Sequence, residues 1–478
     1  MRRSEVALQL IVALCVSSCG DGAHTDGHDA SAGVDDGSPI GVAPEFHSGT
    51  RLRAKVYAGG ADARRFVTWH DTLLDADCQF TRAPDGSVRC YPTPGDSQVV
   101  FTDAACSVAV VQQPTGCGAV PTHSIELNPN SCDTPKVHKV GAPTARPVTT
   151  YARYSGACSA TSDTVADKDF YDASVVVPAD DFVAASVARE PRGARLAADV
   201  FRTADGAIDA RSLVDVQRDA HCIIIDIDSA GTHSCVPIGR AFAIETFSDS
   251  GCANPVAIYF GSRYQPFCPE PAKLLRVSGV VGFFEVGAPY TGPVFSTQTG
   301  SCLPTSEAPS LPFFQVGDPV ATSSFPPLSS VVEGTEQVRA VVDAAATGER
   351  LAAASFLDST RGVACTPGRA ADDQLRCFPQ EDYSADLYSD VACTKHVAFV
   401  PAGISAPTVN VRIEALTACG KRRLHGYAIT GKRDALAPLY VDTSGMCIAS
   451  TQSGDFDYYD TGAELPASSF GATPLVLE

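Results

Sequence analysis

One property of this sequence restricts its fold more than any other: a unit of roughly 144 residues occurs three times. Cys78, Cys222 and Cys365 stand 144 and 143 positions apart, and Cys158, Cys302 and Cys447 stand 144 and 145 apart. Three copies of a unit imply one architecture built three times, so whatever one copy forms the others repeat. The copies run from about Arg51 to Arg189, Arg195 to Val331 and Val338 to Glu478, giving domain limits of 47–190, 191–334 and 335–478. Arg51-Leu52 is echoed by Arg195-Leu196. Trp69-His70-Asp71 is matched by Leu213-Val214-Asp215 and Phe356-Leu357-Asp358. Each copy ends in an aromatic pair followed by Phe182, Phe325 or Phe470.

Val and Thr are frequent and no long helical period is found. Short alternating runs bounded by Gly, Pro, Asp and Ser give about eight strands per copy, which predicts an all-β fold. Eight strands per copy make two four-stranded blades, and three copies then close a six-bladed β-propeller that protects its strand edges. The alternative is three β-sandwich-like domains in tandem. The joints, Glu190 to Ala194 and Val332 to Gln337, are short and favour one closed body.

Residues 1–19 read as an export signal: Arg2 and Arg3, an apolar run from Val6 to Val16 too short to span a bilayer, then Val16-Ser17-Ser18-Cys19. That ending resembles a bacterial lipobox, which implies cleavage before Cys19 and acylation of its thiol. Gly20 after the cysteine, by analogy with lipoprotein sorting, points to the outer membrane. Residues 20–46 hold several aspartates and no Lys or Arg, the composition of an acidic, disordered tether.

Removing Cys15 and Cys19 from the eighteen cysteines leaves sixteen, and an exported chain so equipped is expected to be disulfide-bonded. The first staple expected is Cys78–Cys90, Cys222–Cys235 and Cys365–Cys377, each closing a hairpin. The second is Cys106–Cys117 and Cys252–Cys268, and the third Cys132–Cys158 and Cys419–Cys447. Cys302 and Cys393 are left without partners on this reading.

Two aspartates recur in all copies: Asp71, Asp215 and Asp358, then Asp103, Asp249 and Asp390. Three calcium sites would need more ligands than these, and no Asp-x-Asp-x-Asp-Gly loop is present, so the reading is turn-forming carboxylates and no metal. Trp69, His70 and Asp71 are the candidate ligand-binding residues, since a surface Trp-His pair suits stacking on a sugar ring. Apolar residues at the matching positions favour a core role instead. His138 and His425 fall at matching places, with Phe284 there in the second copy. No nucleophile elbow, His-Glu-x-x-His or phosphate-binding glycine loop is found, so no catalytic residue and no cofactor are assigned. A net charge of −19 argues against nucleic acid.

The repeat resembles that of uncharacterised, cysteine-rich lipoproteins of high-GC bacteria, through Trp-x-Asp, Arg-Cys-x-Pro and Asp-x-x-Cys landmarks. Arg89-Cys90-Tyr91-Pro92 and Arg376-Cys377-Phe378-Pro379 fit, while Ser234-Cys235-Val236-Pro237 departs from the arginine. The resemblance covers about nine-tenths of the chain and implies no activity. The expectation is a lipid-anchored envelope protein, a binding or structural module for a protein or glycan ligand. The competing expectation is an extracytoplasmic hydrolase acting on glycans.

Overall fold

Along Leu52–Ala58 buried and half-buried side chains alternate at every step, the period of a strand with one face in a core. The computed structural model describes residues 45–478 apart from 61–62, 83–85, 94, 96, 127–134, 155–156, 162–164, 228–231, 238–239, 244–245, 260–273, 278–281, 299–300, 306–312, 346–349, 380–386, 404, 416–421, 435–436, 444–445, 451 and 453. Among these residues every regular element is a strand, apart from three short 3-10 turns. The all-β class is therefore as expected.

Fifteen strands carry the threefold plan. They are β1 (Leu52–Ala58), β2 (Arg64–Asp71), β3 (Ala76–Arg82), β4 (Val88–Pro92), β5 (Ala184–Arg192), β6 (Leu196–Thr203), β7 (Ile208–Asp215), β8 (Ala220–Asp226) and β9 (His233–Pro237). After them come β10 (Leu328–Glu333), β11 (Val338–Ala345), β12 (Arg350–Asp358), β13 (Val363–Arg369), β14 (Leu375–Pro379) and β15 (Leu475–Leu477). Strands β1–β4, β6–β9 and β11–β14 are three antiparallel meanders.

Each closing strand joins two units. β5 pairs with β4 at Ala184↔Arg89 and then with β6 from Ala185↔Thr203 to Arg192↔Leu196. Pro327, just before β10, bridges Ser234 of β9, and β10 then pairs with β11. Ala472, just before β15, bridges Arg376 of β14. β15 then pairs with β1 through Lys55↔Leu477 and Val56↔Val476. The last strand thus closes on the first, and the pairings run in a ring. Gly59 and Gly471 both meet Val338 at this closure, where an added Cβ would sit 2.5 and 2.2 Å from it.

Between the fourth strand of each meander and its closing strand the chain builds an outlying β unit. In the first copy this is a five-stranded sheet and a three-stranded sheet. In the second, five strands close into a barrel beside a three-stranded sheet. In the third there are sheets of four and three strands. Each excursion returns through a 3-10 turn to a fully buried phenylalanine. Phe182 meets Tyr91, Phe325 meets Phe283, and Phe470 meets Phe378, at ring-centre distances of 4.9, 5.1 and 4.5 Å.

Six propeller blades do not form among the described residues, and neither do three separate tandem domains. The strand count per copy misleads because the middle strands build a unit of their own, while the closing strand leaves its copy to pair with the next. The apolar cores follow the same plan. The core of the first unit takes in Phe201 and Ala207 of the second. That of the second takes in Ala345 and Leu351 of the third, and that of the third takes in Ala63 of the first.

Cysteine pairing is partly as expected. Cys78–Cys90, Cys222–Cys235 and Cys365–Cys377 staple β3 to β4, β8 to β9 and β13 to β14. The other expected pairs need correction. Cys106 is bonded to Cys158, Cys252 to Cys302, and Cys393 to Cys447. Cys302 and Cys393 are thus not orphans, and Cys117 is itself in a disulfide. Cys132, Cys268 and Cys419 lie outside the described residues, as do Cys19, the export signal and nearly all of the tether. Disulfides of this number belong to an oxidising, extracytoplasmic setting. No helix among the described residues is long and apolar enough to cross a membrane.

Candidate functional site

The recurring Asp-x-x-Cys segments form one structure three times. In the first copy Asp103 accepts the backbone N–H groups of Ser107 and Val108 at 2.9 and 2.8 Å. Asp249 accepts those of Gly251, Ala253 and Asn254, and Asp390 those of Thr394 and Lys395. The carboxylate caps a tight loop, which turns at a cysteine in the left-handed region: φ is 50° at Cys106 and 51° at both Cys252 and Cys393. Non-glycine residues stay there only when the surroundings hold them. Here the disulfide and the capping carboxylate do so together. These aspartates are turn anchors, and among the described residues no group of three or more His, Cys, Asp or Glu is placed to hold a metal.

Hydrogen bonds to the ionised form lower a carboxyl pKa. The Val108 N–H leads for Asp103 and the Asn254 N–H for Asp249, and both lie below the usual carboxylate range. For Asp390 the Thr394 hydroxyl and then the Lys395 N–H hold it at about 2. A depressed carboxyl contributes stability above its unfolded value of about 3.9 and loses it as pH falls through the folded value. The loop at Asp390 is therefore expected to stay closed at pH 4 and to loosen progressively towards pH 2. A carboxyl NMR titration of Asp390 checks this, and a midpoint near 4 would contradict it.

Asp71, Asp215 and Asp358 are fully buried. Asp71 takes a two-point ion pair from Arg51, with Nε to Oδ1 2.8 Å and Nη2 to Oδ2 2.7 Å, and also accepts the N–H of Leu73. Asp215 is held likewise by Arg195. In the third copy Gln337 stands at the arginine's place, and the cation comes from Arg361, 2.5 Å from Asp358.

Trp69 is 1% exposed. Its indole N–H donates to Asp209 at 3.0 Å, and Phe46, Phe66 and Phe80 surround it edge-on. Arg211 binds Asp209 at two points and lies over Phe66, 3.6 Å from the ring centre. Trp69 is thus a core residue at the joint between the first and second units and has no face for a sugar. His70 is half-buried, and its Nδ1 meets Asp77 at 2.8 Å. The three candidate ligand-binding residues are brought together, but each contacts the protein itself.

Two further groupings were not legible in the sequence. His425 meets Glu464 at 2.7 Å and Glu414 at 3.2 Å. Burial alone would lower its pKa, yet the bonds to the two carboxylates outweigh that and raise it. His138 meets Glu126 and the carbonyl of Ala173 in the first copy. Beside His425 lies a shallow depression with room for about one water, far short of an ordinary small-molecule pocket. The second grouping is Ser330, His233 and Asp343. His233 Nδ1 lies 2.7 Å from Asp343 Oδ1 and 3.1 Å from Ser330 Oγ, and the serine hydroxyl donates to the same Oδ1 at 2.8 Å. In a nucleophilic relay the serine and the carboxylate engage opposite ring nitrogens. Here both engage Nδ1, so this arrangement orients the imidazole without activating the hydroxyl.

A family model matches residues 30–324 and 303–471. The chain belongs to DUF7481, a family of unknown function. It matches no curated protein and no solved structure.

What this DUF7481 chain presents outward differs between its copies. Around the Cys393–Cys447 bridge of the third copy, Val391, Met446 and Ile448 are 71%, 66% and 50% exposed. The matching bridge of the second copy has the exposed Leu303 beside Cys302, and that of the first has the small Ala157 and Ser159 around Cys158. Met446–Ser450 is moreover the outer strand of its sheet. Such an edge, with exposed apolar side chains, is a surface that proteins ordinarily cover or use.

Proposed function

We propose that this protein is a lipid-anchored component of the bacterial envelope, tethered through Cys19 at the outer membrane, and serves as a binding or structural module. The observation that carries the reading is the apolar surface around Cys393–Cys447. The recurrent carboxylates and the Trp-His pair, by contrast, are engaged by the protein's own groups. A ring of strand pairings displaying three disulfide-bound outlying units suits a protein that offers broad surface to a protein or glycan. The Ser330 grouping gives the hydrolase reading no support, because it lacks a base opposite the carboxylate.

Anchoring is tested by Cys19→Ala in the producing bacterium. The variant is expected to remain unprocessed, to lose its acyl mass and to leave the detergent-soluble envelope fraction. Unchanged processing and fractionation would refute the anchor. For binding, the full-length protein would be screened by thermal shift against envelope glycans, where a ligand at a hundred times its dissociation constant adds about 2.7 kcal/mol. A shift that survives Val391→Glu with Met446→Glu would place the ligand elsewhere.

A further inference from the structure

We infer that the seam between the second and third units is a polar latch, able to part while the other two seams stay closed. The inference goes beyond the proposed function and rests on a break in the threefold pattern. Leu52, Leu196 and Val338 occupy the same register, each opposite a buried aspartate. Five residues on from each stand Tyr57, Phe201 and Asp343. Tyr57 packs its ring against the core of the third unit. Phe201 lies in the core of the first, stacked on Phe80 at 5.3 Å with the rings 19° from parallel. Two of the three seams are therefore filled by an aromatic ring that each unit inserts into the one before it.

At the remaining seam the inserting position holds a carboxylate, and the apolar side chains of the third unit that reach the second core are the aliphatic Ala345 and Leu351. Asp343 is fully buried, and its Oδ1 is shared between His233 of β9 and Ser330 of β10. Its other oxygen, Oδ2, meets no hydrogen-bond donor among the described residues. A buried ion pair with an unmet oxygen holds its neighbours less firmly than an apolar side chain of similar volume, and fails outright when one partner is removed. His233 is 26% exposed on its side chain and Ser330 is exposed, so water reaches this cluster from outside. The aromatic seam between the first and second units is also reinforced by Phe46–His47 pairing with β7 and by the two-residue ladder between β4 and β5. The described backbone pairing between β9 and the chain entering β10 is the bridge at Ser234↔Pro327. Release of the latch would part the third unit, which carries the exposed Val391, Met446 and Ile448, from the second.

Amide hydrogen exchange on the full-length protein tests this, because local openings appear as contiguous groups of fast amides. His233→Ala is expected to speed exchange at least tenfold across β9, β10 and β11, and to leave β1, β2, β5 and β6 within twofold. Asp343→Phe, which restores the aromatic of the other seams, is expected to slow the same amides. Should phenylalanine not fit, Asp343→Leu should slow them too. Unchanged exchange in His233→Ala, or equal acceleration at all three seams, would overturn the latch. So would faster seam exchange in a folded Asp343→Leu protein.

Discussion

Substitution of Asp71 by alanine is expected to lower the stability of the folded chain by about 3 kcal/mol, the lower end of the range for breaking a buried ion pair. Three separate pieces of chain depend on this carboxylate. It fixes Arg51 at the start of β1 by two hydrogen bonds, and it caps the turn after β2 through the N–H groups of Leu73 and Leu74. Through Arg51, whose Nη2 also donates to the carbonyl of Asp181 at 2.8 Å, it holds the returning chain just before Phe182. Removal leaves the Arg51 charge without its partner. Because that side chain is 26% exposed, water recovers part of the loss, which is why the lower end is expected. The recurrence of the arrangement supports its weight. Where the third copy has Gln337 instead of arginine, Arg361 supplies the charge from the turn, so the cation is kept although its position in the chain changes. Urea denaturation of Asp71→Ala checks the figure. A loss under about 1 kcal/mol, typical of a surface pair, would show that the carboxylate is replaceable.

Much of this was legible in the sequence because it is local. Cys78–Cys90 encloses a turn, so neighbouring strands and the staple between them follow from composition alone. Trp69 was readable as a core residue because Leu213 and Phe356 occupy its place in the other copies, and a position that accepts all three is apolar. The turn role of Asp103 followed from the chemistry of a carboxylate beside backbone N–H groups. What was lost is long-range. The loop at Cys106 reaches Cys158 because Phe101 pairs with Tyr151 and carries that hairpin alongside; the signal that could have found it is that both cysteines recur in all three copies, at separations of 52, 50 and 54. Ring closure was hidden for the same reason: the strand that completes each unit sits beside its partner only after roughly ninety residues of intervening structure. Asp343 shows a third limit. Alignment of the copies places it opposite Tyr57 and Phe201, but its burial and its contact with His233 appear only once the units are assembled.

Loss of the Cys106–Cys158 bridge is expected to be the other large effect, about 4 kcal/mol when both cysteines are replaced by serine. The bridge closes a loop of 52 residues, against 12 for Cys78–Cys90. In the chain-entropy account the restraint on the unfolded chain grows with the logarithm of loop length, so the short staple contributes about 3 kcal/mol and the long one about 4. The bridge has a second duty. Cys106 holds a left-handed backbone, with φ of 50°, between the carboxylate cap of Asp103 and its bond to the Ala157–Ala160 strand, and without the bond that conformation keeps only the cap. Unfolding of the outlying unit is therefore expected to separate from that of the ring, since β1–β4 keep their own staple and core. Denaturation followed by two probes, Trp69 fluorescence for the ring and exchange of the 109–114 amides for the outlying unit, would show this as two transitions where the parent shows one. Peptide mapping of the unreduced parent decides the premise. A 106–158 cross-link supports it, and recovery of a 106–117 cross-link would restore the nearest-neighbour pairing and remove the basis for the larger figure.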